Sequence, residues 1–205
     1  MIRAIAAVST VALIALMGGI WYATNGSEDD QFAECRSSTV AGGAGAIGGP
    51  FELVSEDGLT VTDQDVITEP TLLYFGYTFC PDVCPLDTAR NAEAVELLET
   101  RGVMSTPAMI TIDPERDTPE VLKEFTDYLH PKMIGLTGTT AQIKAASRAY
   151  KTYYKKQDAE DEYYLVDHST FTYLVLPEHG FVEYFRRETT PEQIADTVSC
   201  YANKS

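Results

Sequence analysis

Residues 71–85 read TLLYFGYTFCPDVCP, from Thr71 to Pro85, and the fold follows from how this stretch changes character. Leu72-Leu73-Tyr74-Phe75 is a short apolar run of the kind a buried strand carries. From Leu86 to Thr100 the pattern becomes helical, with Ala92, Val95 and Leu98 on one face and Gly102 just beyond the end. Between strand and helix lies a turn that holds Cys80 and Cys84, stiffened by Pro81 and Pro85.

Downstream the alternation continues. Ala108 to Ile112 reads as a second strand, and Thr118-Pro119 caps and opens a helix to about Leu129. Met133 to Leu136 reads as a third strand, and Thr139 with Gln142 forms a capping box for a helix reaching about Tyr154. Lys155 to Glu162 is a charged loop. Phe171–Leu176 and Phe181–Phe185, joined through Pro177-Glu178-His179-Gly180, form a hairpin, and Thr190-Pro191 starts the last helix. Upstream, Phe51–Val54 and Thr60–Val61 flank Glu56-Asp57-Gly58 as an N-terminal hairpin extension. This order implies an α/β domain with a mixed central sheet over residues 48–205. A βαβ half closed by a hairpin and a helix is the thioredoxin-like arrangement, whose chemistry sits where the first core strand turns into its helix. That turn is the one with Cys80 and Cys84.

The N-terminal residues 1–25 read as a transmembrane anchor. Ala4 to Ala23 is uncharged and, at about 20 residues, gives about 30 Å of helix. Arg3 precedes it and Glu28, Asp29 and Asp30 follow, which puts the N-terminus in the cytoplasm and the remainder outside, in the periplasm of an inner-membrane protein. A cleaved signal peptide is the competing reading, although no small-x-small cleavage site follows the run. Residues 26–47, polar and then Gly/Ala-rich, read as a flexible linker. The formal net charge is −16. A body this acidic repels nucleic acid and anionic lipid surfaces, so neither is expected as a partner.

The four cysteines, at 35, 80, 84 and 200, then lie in an oxidising compartment. A structural disulfide between Cys80 and Cys84 is one reading. The other is functional: four helical steps bring both sulfurs to one face, and a helix N-terminus favours thiolate. Two converging thiolates suit Cu(I). For a third ligand the chain offers three histidines. His130 precedes Pro131 at a helix end and reads as a cap; His179 sits in a hairpin tip. His168, in Val166-Asp167-His168-Ser169, precedes the Phe171 strand and so faces the cysteine turn, with Asp167 a candidate to orient it. Two sulfurs and one imidazole suit one copper ion, Cu(I) or Cu(II), whereas zinc calls for a fourth firm ligand. Asp113-Pro114-Glu115-Arg116-Asp117 reads first as an Arg–carboxylate staple that shapes its loop. Cys35 and Cys200 form either a bridge pinning the linker to the body, worth about 4–5 kcal/mol by chain entropy, or a second redox pair.

Four ordered stretches carry a family resemblance: Tyr74 to Pro85, Ile112 to Pro119, Ile134 to Gly138, and Asp167-His168-Ser169. Together they resemble the Sco/SenC proteins over about residues 47–200. The resemblance implies a thioredoxin-like fold behind a membrane anchor, with Cys80, Cys84 and His168 as copper ligands. It also implies delivery of copper to the Cu-A site of cytochrome c oxidase, with its copper-accepting subunit as partner. Phe79 stands where many relatives carry a histidine.

Two functions compete. A metallochaperone passes its copper on by ligand exchange and assigns no catalytic residue. A thiol–disulfide oxidoreductase would use Cys80 and Cys84 as a redox-active pair that reduces the cysteines of the oxidase copper site. Against the second stand three residues between the cysteines, where the usual redox turn has two, and a histidine where thioredoxins carry a proline.

Overall fold

The computed structural model describes residues 14–19, 30–40, 43–158 and 163–205. Two compact units divide the chain, Met1–Glu34 and Cys35–Ser205. In the first, residues 14–19 are helical. Among the described residues no helix is long and apolar enough to cross a membrane. Most of the expected anchor lies outside the described residues.

The second unit is built on a seven-stranded sheet in the order β2 (Thr60–Thr62), β1 (Glu52–Ser55), β5 (Ile134–Thr137), β4 (Thr106–Thr111), β3 (Thr71–Gly76), β8 (Thr172–Leu176) and β9 (Gly180–Phe185). Its centre is parallel: β3 (Thr71–Gly76), β4 (Thr106–Thr111) and β5 (Ile134–Thr137). Every residue of β3 and β4 is buried, because helices cover both faces, and their sequences are accordingly apolar without alternation. The flanks are antiparallel. On one side lies the hairpin of β1 (Glu52–Ser55) and β2 (Thr60–Thr62). On the other lies the hairpin of β8 (Thr172–Leu176) and β9 (Gly180–Phe185). Gly180 closes that second hairpin at φ +66°, a conformation that a side chain disfavours.

Besides the short helix Asp63–Val66 between β2 and β3, four longer helices are found among the described residues of this unit: α1 (Val83–Thr100), α2 (Pro119–Leu129), α3 (Thr140–Ala149) and α4 (Pro191–Ala202). Thr118, Thr139 and Thr190 cap the last three, with capping boxes at Thr139–Gln142 and Thr190–Gln193. The mixed α/β sheet thus matches the expected architecture. The supposed charged loop after α3 is different. It contains β6 (Tyr154–Lys156), which pairs antiparallel with β7 (Val166–His168) as a separate two-stranded ribbon. His168 therefore ends a strand, paired with Tyr154, rather than hanging in a loop.

The stretch read as a flexible linker is fastened to the body over part of its length. A disulfide joins Cys35 to Cys200 of α4, with Cα atoms 5.6 Å apart. Next to it, the carboxylate of Glu183, fully buried on β9, accepts hydrogen bonds from the backbone N–H of Ser37 (2.8 Å) and Ser38 (3.2 Å) and from both hydroxyls. A buried carboxylate needs such donors, and the strap supplies them.

Candidate metal centre

The turn after β3 brings the two cysteines together by a different route from the one the sequence suggests. Cys80 lies before the helix, because α1 has its N-cap at Asp82 and Cys84 falls in its first turn. Helical periodicity therefore does not align the sulfurs. Asp82 makes no side-chain capping bond. The Cys80 sulfur takes over that role, accepting from the backbone N–H of Cys84 at 3.4 Å. A helix N-terminus presents unpaired N–H groups, and here a sulfur satisfies one.

That placement sets the charge. The Cys80 pKa is lowered, chiefly by its hydrogen bond with the Cys84 side chain, helped by His168 and by the N–H groups of Asp82 and Cys84, and opposed by burial. The same bond, followed by burial, raises Cys84. One proton thus stays on Cys84 and the negative charge on Cys80. Both cysteines are free of disulfide and buried, Cys84 completely.

His168 closes the site. Its Nε2 lies 3.3 Å from the Cys84 sulfur. Its Nδ1 lies 2.9 Å from the carbonyl oxygen of Ser169. A carbonyl only accepts, so Nδ1 carries a proton and donates it there, which leaves Nε2 as the ring nitrogen that faces the sulfurs. Asp167 does not orient the ring: its carboxylate accepts instead from the Gln157 side chain at 2.7 Å. The Tyr74 and Tyr77 rings meet the imidazole edge-on, with centroids 6.2 and 5.8 Å away. Tyr77 is 2% exposed, and its hydroxyl accepts from the Val166 N–H. It thereby ties the cysteine turn to the strand that carries His168.

The donor atoms of Cys80, Cys84 and His168 all lie within 4.8 Å of one another, and among the described residues no other group of three such ligands forms. His130 instead ends α2, its Nδ1 accepting from the Lys132 N–H, and His179 is exposed in the β8–β9 turn.

Packing behind the sulfurs depends on Gly76. A Cβ there would stand 2.6 Å from the Tyr74 ring and 3.1 Å from the Cys84 sulfur. Tyr74 cannot easily retreat, because its hydroxyl donates to the buried Asp87 carboxylate at 3.1 Å. Asp113–Asp117 forms the staple read from the sequence: the Arg116 guanidinium pairs with Asp113 at 2.5 Å and lies over the rings of Tyr164 (3.6 Å) and Phe79 (4.7 Å). Sequence reasoning missed Thr78, Asp87 and the Ser169 carbonyl.

Comparison with known proteins agrees with this geometry. The SCO1/SenC family model matches residues 40–203. Protein SenC of Rhodobacter capsulatus is 54% identical over 198 residues, covering 96% of this chain and 89% of that protein. The crystal structure of Arabidopsis thaliana ScoI with copper bound superposes with a TM-score of 0.73 at 42% identity, over 77% of this chain and 99% of that one. BsSco, described as a member of the Sco family of cytochrome c oxidase assembly proteins with a disulfide switch, aligns with a TM-score of 0.62 at 26% identity, over 80% of this chain and 98% of that one. With its sheet, its cysteine turn and these matches in register, the chain belongs to the SCO1/SenC family.

Proposed function

We propose that this chain carries one copper ion between Cys80, Cys84 and His168 and delivers it to the Cu-A subunit of cytochrome c oxidase during assembly. The observation that carries the proposal is the convergence of two sulfurs and one imidazole nitrogen within 4.8 Å, with Nε2 of His168 turned toward the sulfurs and Nδ1 held by the Ser169 carbonyl. Three such donors around a small metal ion stand about 3.5–4 Å apart, from bond lengths of about 2.0–2.3 Å. The site needs only small side-chain adjustments to close on an ion. Two thiolates and an imidazole are soft enough for copper. Copper bound in Arabidopsis ScoI, and the assembly role named for BsSco, support the same reading.

Cys80 offers a ready thiolate, and copper entry displaces one proton from Cys84. Release requires ligands from the acceptor to replace these three donors one at a time. Phe79, Leu86 and Leu165 expose apolar surface on the segments that carry the ligands, and an acceptor can dock against it. In this proposal residues 1–25 anchor the chain in the inner membrane with the domain in the periplasm. The Cys35–Cys200 disulfide supports an oxidising compartment.

The paired states of the two cysteines favour a second reading, a thiol–disulfide oxidoreductase in which Cys80 attacks and Cys84 resolves. One experiment separates the two. The parent and His168→Ala are titrated with Cu(I) against a chelator; each is then mixed, copper-loaded, with a reduced Cu-A domain and, metal-free, with an oxidised one. One tight equivalent that weakens strongly without the imidazole, followed by transfer to the reduced domain, supports the chaperone. Affinity indifferent to His168, with rapid dithiol exchange, supports the oxidoreductase.

A further inference from the structure

Asp117 is fully buried, and burial raises its pKa despite the hydroxyl and amide groups that bond it. Its own backbone is fixed in the loop between β4 and α2, against the end of β5. Its N–H donates to the Asp113 carbonyl at 3.0 Å, and its carbonyl accepts from the Thr137 hydroxyl at 2.9 Å. From that base the carboxylate reaches across to the cysteine turn. It accepts from the Thr78 hydroxyl at 2.6 Å, from the Thr78 N–H at 3.1 Å and from the Thr111 hydroxyl at 2.6 Å.

The start of α2 does not need this carboxylate, because Thr118 caps that helix and Pro119 opens it. Burying a carboxylate is costly, and a hydrophobic side chain would fill the space more cheaply. Besides bonding Thr111, the carboxylate holds Thr78, two residues before Cys80, through both hydroxyl and N–H. The turn that follows closes on a bond from the Cys80 N–H to the Tyr77 carbonyl at 3.3 Å. No helix or strand holds residues 77–82; apart from Asp117, the Cys80 end of the site rests on that bond, on the Cys84 N–H bond to the Cys80 sulfur, on the Val166 N–H bond to the Tyr77 hydroxyl and on ring contacts.

We propose that Asp117 is the positioning residue of the metal centre: through Thr78 it fixes the turn that sets the Cys80 sulfur opposite Cys84 and His168. This rests on the copper reading above. Asp117 touches no ligand and acts only through the geometry of the turn. An asparagine keeps the shape and one acceptor oxygen for the Thr78 N–H, whereas a leucine fills similar space and offers none.

The test compares the parent, Asp117→Leu, Asp117→Asn and Thr78→Val in the full chain. Cu(I) affinity is measured by chelator competition, the alkylation rate of Cys80 in metal-free protein, and stability by thermal melting. Asp117→Leu loses Cu(I) affinity by on the order of tenfold or more, as for other groups that orient ligands, while Asp117→Asn recovers most of it. The Cys80 alkylation rate in Asp117→Leu shifts in parallel, because the sulfur no longer sits over the α1 N-terminus. Thr78→Val, which keeps the Thr111 bond, changes both readouts in the same direction by less. A folded Asp117→Leu that melts lower but keeps parental affinity and alkylation rate overturns the proposal. So does a parental Thr78→Val, should Asp117→Leu not fold. A parent that binds no Cu(I) would instead refute the copper reading, and the alkylation rates would still test Asp117.

Discussion

Replacing Gly76 by alanine adds one methyl group at the most crowded point behind the sulfurs. The new carbon would lie 2.6 Å from the Tyr74 ring and 3.1 Å from the Cys84 sulfur. Ordinary carbon contacts lie at about 3.5–4.0 Å, so the ring must retreat by roughly 1 Å. Tyr74 is fully buried and tied to Asp87, which leaves the strand and Cys84 to share the strain. Overpacking of this kind costs about 1–3 kcal/mol, which lowers Tm by roughly 2–12 °C in a domain of this size. The displaced sulfur also weakens copper binding, because all three donors share one coordination point. Gly45→Ala serves as the control, since a Cβ there meets nothing within 4 Å. Thermal melting and Cu(I) competition on both variants decide the matter. If Gly76→Ala melts within a degree of Gly45→Ala and binds Cu(I) equally well, the packing account of the sulfur position is wrong.

Replacing Cys35 and Cys200 together by serine destabilises the domain by up to about 5 kcal/mol in the chain-entropy treatment, and denaturant unfolding measures the loss. Mass spectrometry of the unreduced parent should show those two thiols bonded and Cys80 and Cys84 alkylated. Because the Cys80 pKa is lowered, its thiolate persists as pH falls toward that lowered value. Its alkylation rate in metal-free protein should stay nearly flat from about pH 5 to 8, whereas an ordinary thiol slows roughly tenfold per unit of acidification. A slope like that of a free cysteine would refute the assigned thiolate. His168→Ala should weaken Cu(I) binding while leaving Tm near the parent, since the imidazole is only partly buried.

The succession of strands and helices was legible because β3 and β4 are continuously apolar and because threonine caps with proline or glutamine mark α2, α3 and α4. The ribbon of β6 and β7 was not. Tyr154-Lys155-Lys156 carries little apolar period, and its partner lies across the loop, so only the backbone pairing reveals it. Both cysteines and His168 stood out by residue type. The reason for their meeting did not: Cys80 caps α1 rather than riding its face. A backbone carbonyl orients His168, and carbonyls leave no mark in sequence, whereas the adjacent Asp167 drew attention and proved to bond Gln157. The polar residues of α1 carry no mark of their burial in the sequence either. Asp87, Thr88 and Asn91 look like a solvated face, yet all three are buried between α1 and the strands. Asp87 bonds Tyr74, Thr88 bonds back to the Cys84 carbonyl, and Asn91 accepts from Thr172.

X-ray absorption at the copper edge of the Cu(I)-loaded protein tests the coordination directly. The account predicts a first shell of two sulfurs and one imidazole nitrogen, and a shell of two sulfurs alone in His168→Ala. A first shell without the imidazole in the parent, or one unchanged by removing His168, would contradict it.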